Sequence, residues 1–323
     1  MKLLLTGGTG FFGKSLLRYW QQQPGPEVCI LSRDRERFRA AHPELCCLPG
    51  LRLLRGDVGD PATLPRGEQF ANVLHAAADS TLGPQLTPLQ RYDQIVGGTR
   101  NLLDFAVACG AKRFLLTSSG GVYGRQPADL DRLPEDYLGS PDPMNGANAY
   151  SVAKRAAEHL CALYAEEHGI EIVVARCFAF VGEDLPLNVH FAIGNFIRDA
   201  LWADEIVVNG DGTPIRSYLD QRDLAHWLLA LLDEGGAGQA YNVGSDEAIS
   251  IADLAHLVRD LVNPAKPVRI LGKAADNAER NRYVPDIGKI GRDLGLRPSF
   301  SLEQSILDAA EAVRARGYSD GVS

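Results

Sequence analysis

The chain has 323 residues, 45% hydrophobic and 23% charged, the balance of a soluble globular protein of one or two domains. Its formal net charge of -8 argues against nucleic acid as a partner, because a phosphate backbone calls for a basic face. Leu3-Leu4-Leu5 is too short for a signal peptide, no run approaches the ~18 apolar residues of a membrane span, and the six cysteines have no metal-ligand or Cys-x-x-Cys spacing. A cytoplasmic protein with no membrane contact and no metal is the expectation.

Lys2 to Thr6 is a short apolar run, read as a buried strand. It leads into Thr6-Gly7-Gly8-Thr9-Gly10-Phe11-Phe12-Gly13 and then the helical pattern Lys14 to Gln22. Gly7, Gly10 and Gly13 have the spacing of a dinucleotide fingerprint. Side chains there would block the tight turn, keep the backbone from a pyrophosphate, or push the helix off the sheet. The helix N-terminus then offers free N–H groups and a positive dipole end to the phosphates.

Glu27 to Leu31 is a second strand, closed by Ser32-Arg33-Asp34 before a helix through Ala40. Leu51 to Leu54 is a third, with Gly56-Asp57-Val58 beyond its end. Ala71 to His75 is a fourth, followed by Ala76-Ala77-Ala78. A long helix is expected from about Leu89 to Cys109, and a fifth strand over Arg113 to Thr117. Gln126 to Ala147, rich in Pro, Gly and Asp, reads as a long functional loop. Tyr150 to His168 is helical and Glu171 to Ala175 a sixth strand. Such alternation predicts an α/β fold, a Rossmann-type doubly wound parallel sheet.

From Cys177 the pattern changes to short pieces. These are a helix over Ala192 to Leu201, strands at Ile206 to Val208 and Tyr241 to Val243, and helices over Asp223 to Leu232 and from Ser250 to about Val262. Two more helical segments lie within Asp286 to Arg316. A smaller C-terminal α/β substrate lobe is expected. The cofactor domain is then 1–176 with about 220–245, and the lobe 177–219 with 246–323. Trp202 and Trp227 read as core, His75 as a packed strand-end residue and Asp211 as a turn residue.

Tyr150 and Lys154 are spaced i, i+4 on one helix face. An adjacent ammonium favours the phenolate and makes a tyrosine usable as an acid or base. Ser119 follows a strand end, where open α/β sheets place their ligands. These features and several others together resemble the extended short-chain dehydrogenase/reductase family, and within it the NAD-dependent nucleotide-sugar epimerase/dehydratase group. The matching stretches are the glycine turn, Gly56-Asp57-Val58, His75-Ala76-Ala77-Ala78, Ser118-Ser119-Gly120-Gly121-Val122-Tyr123-Gly124, Tyr150-Ser151-Val152-Ala153-Lys154, and Arg216-Ser217-Tyr218 after Gly210-Asp211-Gly212. They span about residues 1 to 300.

The resemblance implies Ser119, Tyr150 and Lys154 as the catalytic trio, with Lys154 also on the nicotinamide ribose. The cofactor, NAD, would meet Gly7, Gly10, Phe11, Phe12, Gly13, Ser32, Arg33, Asp57, Val58, Ala76, Ala77, Ala78, Tyr150 and Lys154. A nucleotide-diphosphate sugar would meet Ser119, Gly120, Tyr150, His190, Asn195, Arg216 and Arg282. Family members commonly form homodimers through the helices that match Leu89–Cys109 and Tyr150–His168.

The expected reaction is epimerisation, most simply at C4, with Tyr150 taking a hydroxyl proton and hydride leaving and returning through the cofactor. The rivals are 4,6-dehydration and NADPH-dependent keto-sugar reduction. Family dehydratases carry Asp-Glu directly after the catalytic Ser or Thr, where this chain has Gly120-Gly121; a carboxylate from Asp129, Asp131, Glu135 or Asp136 would have to substitute. A non-catalytic NAD(P)-binding redox sensor is the alternative of another class. Three departures from the family stand out: Ser32-Arg33 in place of an acidic strand end, which leaves NADP open; Ile95 in place of Asn; and Ala179 where many members have a substrate-contacting Asn.

Overall fold

Strands that are apolar without alternation must be covered on both faces, and this sheet is. The computed structural model describes residues 2–77, 86–189, 191–273 and 281–317. The chain opens with β1 (Lys2–Thr6), α1 (Phe11–Gln22), β2 (Glu27–Ser32), α2 (Arg35–Ala41), β3 (Leu51–Arg55) and β4 (Asn72–His75). It continues with α3 (Pro88–Ala108), β5 (Arg113–Ser119), α4 (Ala149–His168) and β6 (Glu171–Cys177). Then come β7 (Phe180–Val181), α5 (Ala192–Trp202), β8 (Ile206–Val208), β9 (Ile215–Arg216), β10 (Leu219–Asp220), α6 (Gln221–Glu234) and β11 (Gln239–Val243). Last are β12 (Ile249–Ser250), α7 (Ile251–Val262), β13 (Val268–Ile270), α8 (Gly288–Leu294) and α9 (Leu302–Arg316).

Seven parallel strands form one sheet in the order β11-β6-β5-β4-β1-β2-β3. The chain reverses its direction of growth between β1 and β4, so the C-terminal ends of these two strands, Thr6 and His75, border the crevice where such sheets bind ligands. On one face Leu3, Leu5, Val28 and Ile30 pack under Leu16 and Leu17 of α1 and Trp227 and Leu228 of α6. On the other, Leu4, Cys29, Val73 and Phe114 pack under Leu102 and Leu103 of α3 and Ala153 and Ala157 of α4. A third cluster joins Ile193, Phe196 and Ile197 of α5 to Leu254 and Val258 of α7 and Ile306 of α9. Ile290 of α8 and Leu296 pack with the sheet instead.

Local chemistry sets the helix ends. α3 starts in a capping box of Thr87 and Gln90, with a proline in its first turn. The Ser250 hydroxyl accepts the Asp253 N–H at 3.0 Å to open α7. Trp227 is fully buried, as expected, but Trp202 is 37% exposed. It is the last residue of α5, where the helix runs out past the core. No described helix is long and apolar enough to cross a membrane, and no described cluster of His, Cys, Asp and Glu suits a metal ion.

The long loop between β5 and α4 is held by the C-terminal segment. Leu133 N–H donates to Val284 O (2.8 Å), Asp286 N–H to Leu133 O (2.9 Å), and Val284 N–H to Gln126 Oε1 (3.0 Å).

Candidate active site

The glycine turn forms the cradle that the sequence calls for. Gly7 has φ +72°, and a Cβ there would lie 2.3 Å from Ala76 O. A Cβ on Gly13 would lie 2.2 Å from Gly8, so α1 sits directly against the turn. The N-cap of α1, Gly10, makes no side-chain cap, and the first turn carries no acidic residue. Its N–H groups are therefore open to an anion, and the residues present fit the pyrophosphate of a dinucleotide. Phe11 and Phe12 pack their rings against Phe180, at 6.3 and 5.3 Å between centroids, and so tie α1 to the chain beyond β6.

Ala76 and Ala77 follow β4 along this crevice. Asp57 accepts the Gly59 N–H at 2.8 Å, while Val58 turns its side chain into the core against Gly98. Ser32 ends β2 and is buried; Arg33 beside it is exposed. His75 is buried, with Nδ1 2.7 Å from Thr6 Oγ1 and Nε2 3.2 Å from Thr99 Oγ1, so its ring braces the strand ends. Ala78 and His190 lie outside the described residues.

Ser119, Tyr150 and Lys154 converge beyond the end of β5. Lys154 is 4% exposed; its Nζ donates to Thr117 O at 2.8 Å and lies 6.0 Å from the Tyr150 ring centroid. Burial pulls its ammonium down to about 8. Burial pushes the Tyr150 phenol up to about 12, opposed by its hydrogen bond with Ser119 and by the charge of Arg91. The Ser119 Oγ accepts the Gly121 N–H at 3.1 Å, which fixes the turn after β5.

A side chain on either residue after Ser119 would have to displace a neighbour. A Cβ on Gly120 would lie 2.6 Å from the Phe178 ring and 2.7 Å from the Tyr283 hydroxyl. On Gly121 it would lie 2.6 Å from Ser151 Oγ. Of the loop carboxylates, Glu135 accepts the Asn242 N–H at 2.8 Å, while Asp129, Asp131 and Asp136 are exposed.

Tyr283 is the site residue that sequence reasoning missed. Its hydroxyl stands 3.5 Å from Ser119 Oγ and 3.4 Å from Cys177 O, and its ring lies 4.5 Å from that of Phe178. Arg216 lies over that ring at 5.9 Å, with its guanidinium also donating to Ile215 O and Asn281 O. Arg282, one residue before Tyr283, points the other way. It donates to Asp131 O at 2.8 Å, because the loop supplies both a carbonyl and a carboxylate to it. Asn195 lines a cavity of about 640 Å³ between α5 and β8, together with Phe196, Val207 and Pro214.

The structure thus brings a tyrosine, a lysine and a serine together at the strand ends, with a glycine turn and an open helix N-terminus at β1 and a separate cavity between α5 and β8. Residues 3–244 match the model of the NAD dependent epimerase/dehydratase family. The chain is 30% identical over 323 residues to UDP-glucuronic acid decarboxylase 6 of Arabidopsis thaliana, covering 98% of this chain and 90% of that one. It is similar in structure to DesIV, a dTDP-glucose 4,6-dehydratase from Streptomyces venezuelae solved with NAD and TYD bound (TM-score 0.83, 25% identity, 98% and 97% of the two chains). It is also similar to a UDP-galactose 4-epimerase (TM-score 0.79, 25% identity, 98% and 100%).

Proposed function

The chain belongs to the NAD dependent epimerase/dehydratase family, and on that premise we propose that it is a nucleotide-sugar epimerase that works through a transient keto sugar, with C4 as the inverted carbon. The observation that carries this reading is the filled space behind Gly120 and Gly121. Dehydration needs a second acid–base group, to take the C5 proton and to protonate the departing C6 hydroxyl. Epimerisation needs one group alone, which takes a hydroxyl proton and gives it back. Tyr150 is that group. Ser119 shares the proton of the sugar hydroxyl, and Lys154, held by Thr117 O, favours the phenolate. When bound, the nicotinamide would accept hydride from the sugar and return it to the other face.

In this reading the nucleoside enters the cavity between α5 and β8, and Arg216 faces the diphosphate. The homodimer is part of the same proposal, with α3 and α4, which pack side by side, as its helices.

A second reading is decarboxylation of a nucleotide uronic acid, favoured by the named Arabidopsis relative. It shares the oxidation at C4 but then needs a proton donor for C5 once carbon dioxide has left.

Incubation of the purified chain with a panel of UDP-, GDP-, dTDP-, CDP- and ADP-sugars, with NAD or NADP but no reductant, separates these chemistries by mass. A new isomer of unchanged mass is the expected result. A product lighter by one water would replace epimerase with dehydratase, and one lighter by carbon dioxide, from a uronic acid, with decarboxylase. In the Tyr150→Phe variant, turnover falls by ~10²–10⁴-fold while cofactor binding persists. A redox sensor would keep its output.

A further inference from the structure

We propose that the adenosine end of the cofactor site is built for a 2′-phosphate, so that this member of an NAD-dependent family takes NADP in preference to NAD. In sheets of this type the adenosine ribose lies over the C-terminal end of β2. An acidic side chain there accepts the 2′-hydroxyl and repels a phosphate. Here β2 ends in Ser32, and its register partner on β3 is Arg55. Paired residues on parallel neighbours, about 4.8 Å apart, turn their side chains to the same face.

The face is identified by the core. Ile30 and Leu53, two residues earlier on each strand, pack in the cluster under α1. Ser32 and Arg55 therefore carry the α1 face one step past the core, to the side where α1 presents its open N–H groups. Gly56 N–H donates to Ser32 O at 3.0 Å, which keeps the two strand ends together beyond the last pair. Arg33 follows Ser32 directly and is exposed, as is Arg55.

The described carboxylates nearby are engaged. Asp34 accepts the Arg37 N–H at 3.0 Å as the cap of α2, Asp57 accepts the Gly59 N–H, and Glu36 pairs with Arg35 and Arg39. The rim that would meet the ribose thus offers a hydroxyl and two guanidinium groups. That donor set matches a dianionic phosphate, and among the described residues no unengaged carboxylate stands beside it for a free 2′-hydroxyl.

Calorimetric titration of the intact chain tests this without turnover, so it stands or falls apart from the epimerase reading. The probes are NADP⁺ against NAD⁺, and 2′,5′-ADP against 5′-AMP. The phosphate-bearing member of each pair is expected to bind at least tenfold tighter. Arg33→Ala and Arg55→Ala should each reduce that preference several-fold, and Ser32→Asp should reverse it. Equal or tighter binding of NAD⁺ would overturn the proposal, as would a preference that survives in the double Arg33→Ala/Arg55→Ala variant. Both arginines are exposed, so their removal leaves the core intact. Nucleotide released on denaturing the freshly purified protein gives an independent reading: NADP by mass supports the assignment, and NAD overturns it.

Discussion

The Tyr283 hydroxyl lies 3.5 Å from Oγ of Ser119 across 164 residues of sequence. It arrives there because its own N–H donates to Ile215 O at 3.0 Å, alongside β9, and because its ring packs on Phe178. A hydroxyl so placed holds the Ser119 side chain on the side facing Tyr150. Tyr283→Phe keeps the ring packing and removes the hydroxyl with its contacts to Ser119 Oγ and Cys177 O. The expected loss is about tenfold in kcat, the equivalent of ~1.4 kcal/mol, with KM and the melting temperature little changed. Steady-state kinetics with a parallel thermal melt checks it; an unaltered kcat would remove Tyr283 from the reaction.

Gly120→Ala tests the filled space from the other side. The new Cβ would lie 2.6 Å from the Phe178 ring and 2.7 Å from the Tyr283 hydroxyl, so one of them must move. Overpacking of this kind costs about 1–3 kcal/mol. Because the displaced group is Tyr283 or its support, activity should fall further than in Tyr283→Phe. Denaturant unfolding and kcat/KM on the same variant measure both effects. An alanine tolerated in both would mean that the space behind Ser119 is not closed, and the argument against dehydration would lose its basis.

The Arg91 guanidinium favours the ionised form of the Tyr150 phenol, against burial. Burial pushes that phenol up to about 12, and the Ser119 hydrogen bond and the Arg91 charge oppose that rise. The Arg91 Nε is buried without a hydrogen-bond partner among the described residues. A base that acts as phenolate is competent above its pKa, so activity rises with pH along the limb that Tyr150 governs. Arg91→Leu removes the stabilising cation and raises the phenol pKa. The limb should therefore move to higher pH, by roughly one unit. The limb belongs to the coupled Tyr150 and Lys154 pair, so the shift and not its absolute position is diagnostic. A profile that stays in place would show that Arg91 acts on packing alone.

The fold and the shared helix face of Tyr150 and Lys154 were legible because their signals are local. The Gly7, Gly10 and Gly13 spacing fixes a turn, and Tyr150 and Lys154 share a helix face at i, i+4. Asn195 was singled out from the family resemblance alone, and it stands on α5 beside a cavity. Tyr283 and Phe178 were not legible, since no spacing links residues that meet only through the crossing of segment 281–286 over the strand ends. The contact of Arg282 with the loop was not legible for a related reason. An arginine beside a phosphate site and an arginine tied to a loop carbonyl look alike in sequence, and only the position of Asp131 separates them. Trp202 illustrates the limit of periodicity at helix ends, where the last turn can leave the core.

His75 links the fold to acid stability. Its ring is buried between Thr6 and Thr99, and burial holds its pKa down to about 3, against 6.5 for a free histidine. The folded value lies below the unfolded one, so the unfolded chain takes up the proton first. The contribution of His75 is thus fully present above pH 6.5 and is lost as pH falls from 6.5 toward about 3. The slope is up to about 1.4 kcal/mol per pH unit, so the free energy of unfolding should drop by roughly 2 kcal/mol between pH 7.5 and pH 5. In His75→Gln the slope over this window should flatten by that amount, while stability at pH 7.5 falls by about 1–3 kcal/mol through imperfect hydrogen bonding to the two threonines. Urea unfolding of both proteins at the two pH values decides the matter. Equal slopes would mean that the proton uptake comes from other groups and that His75 is free to ionise in the folded chain.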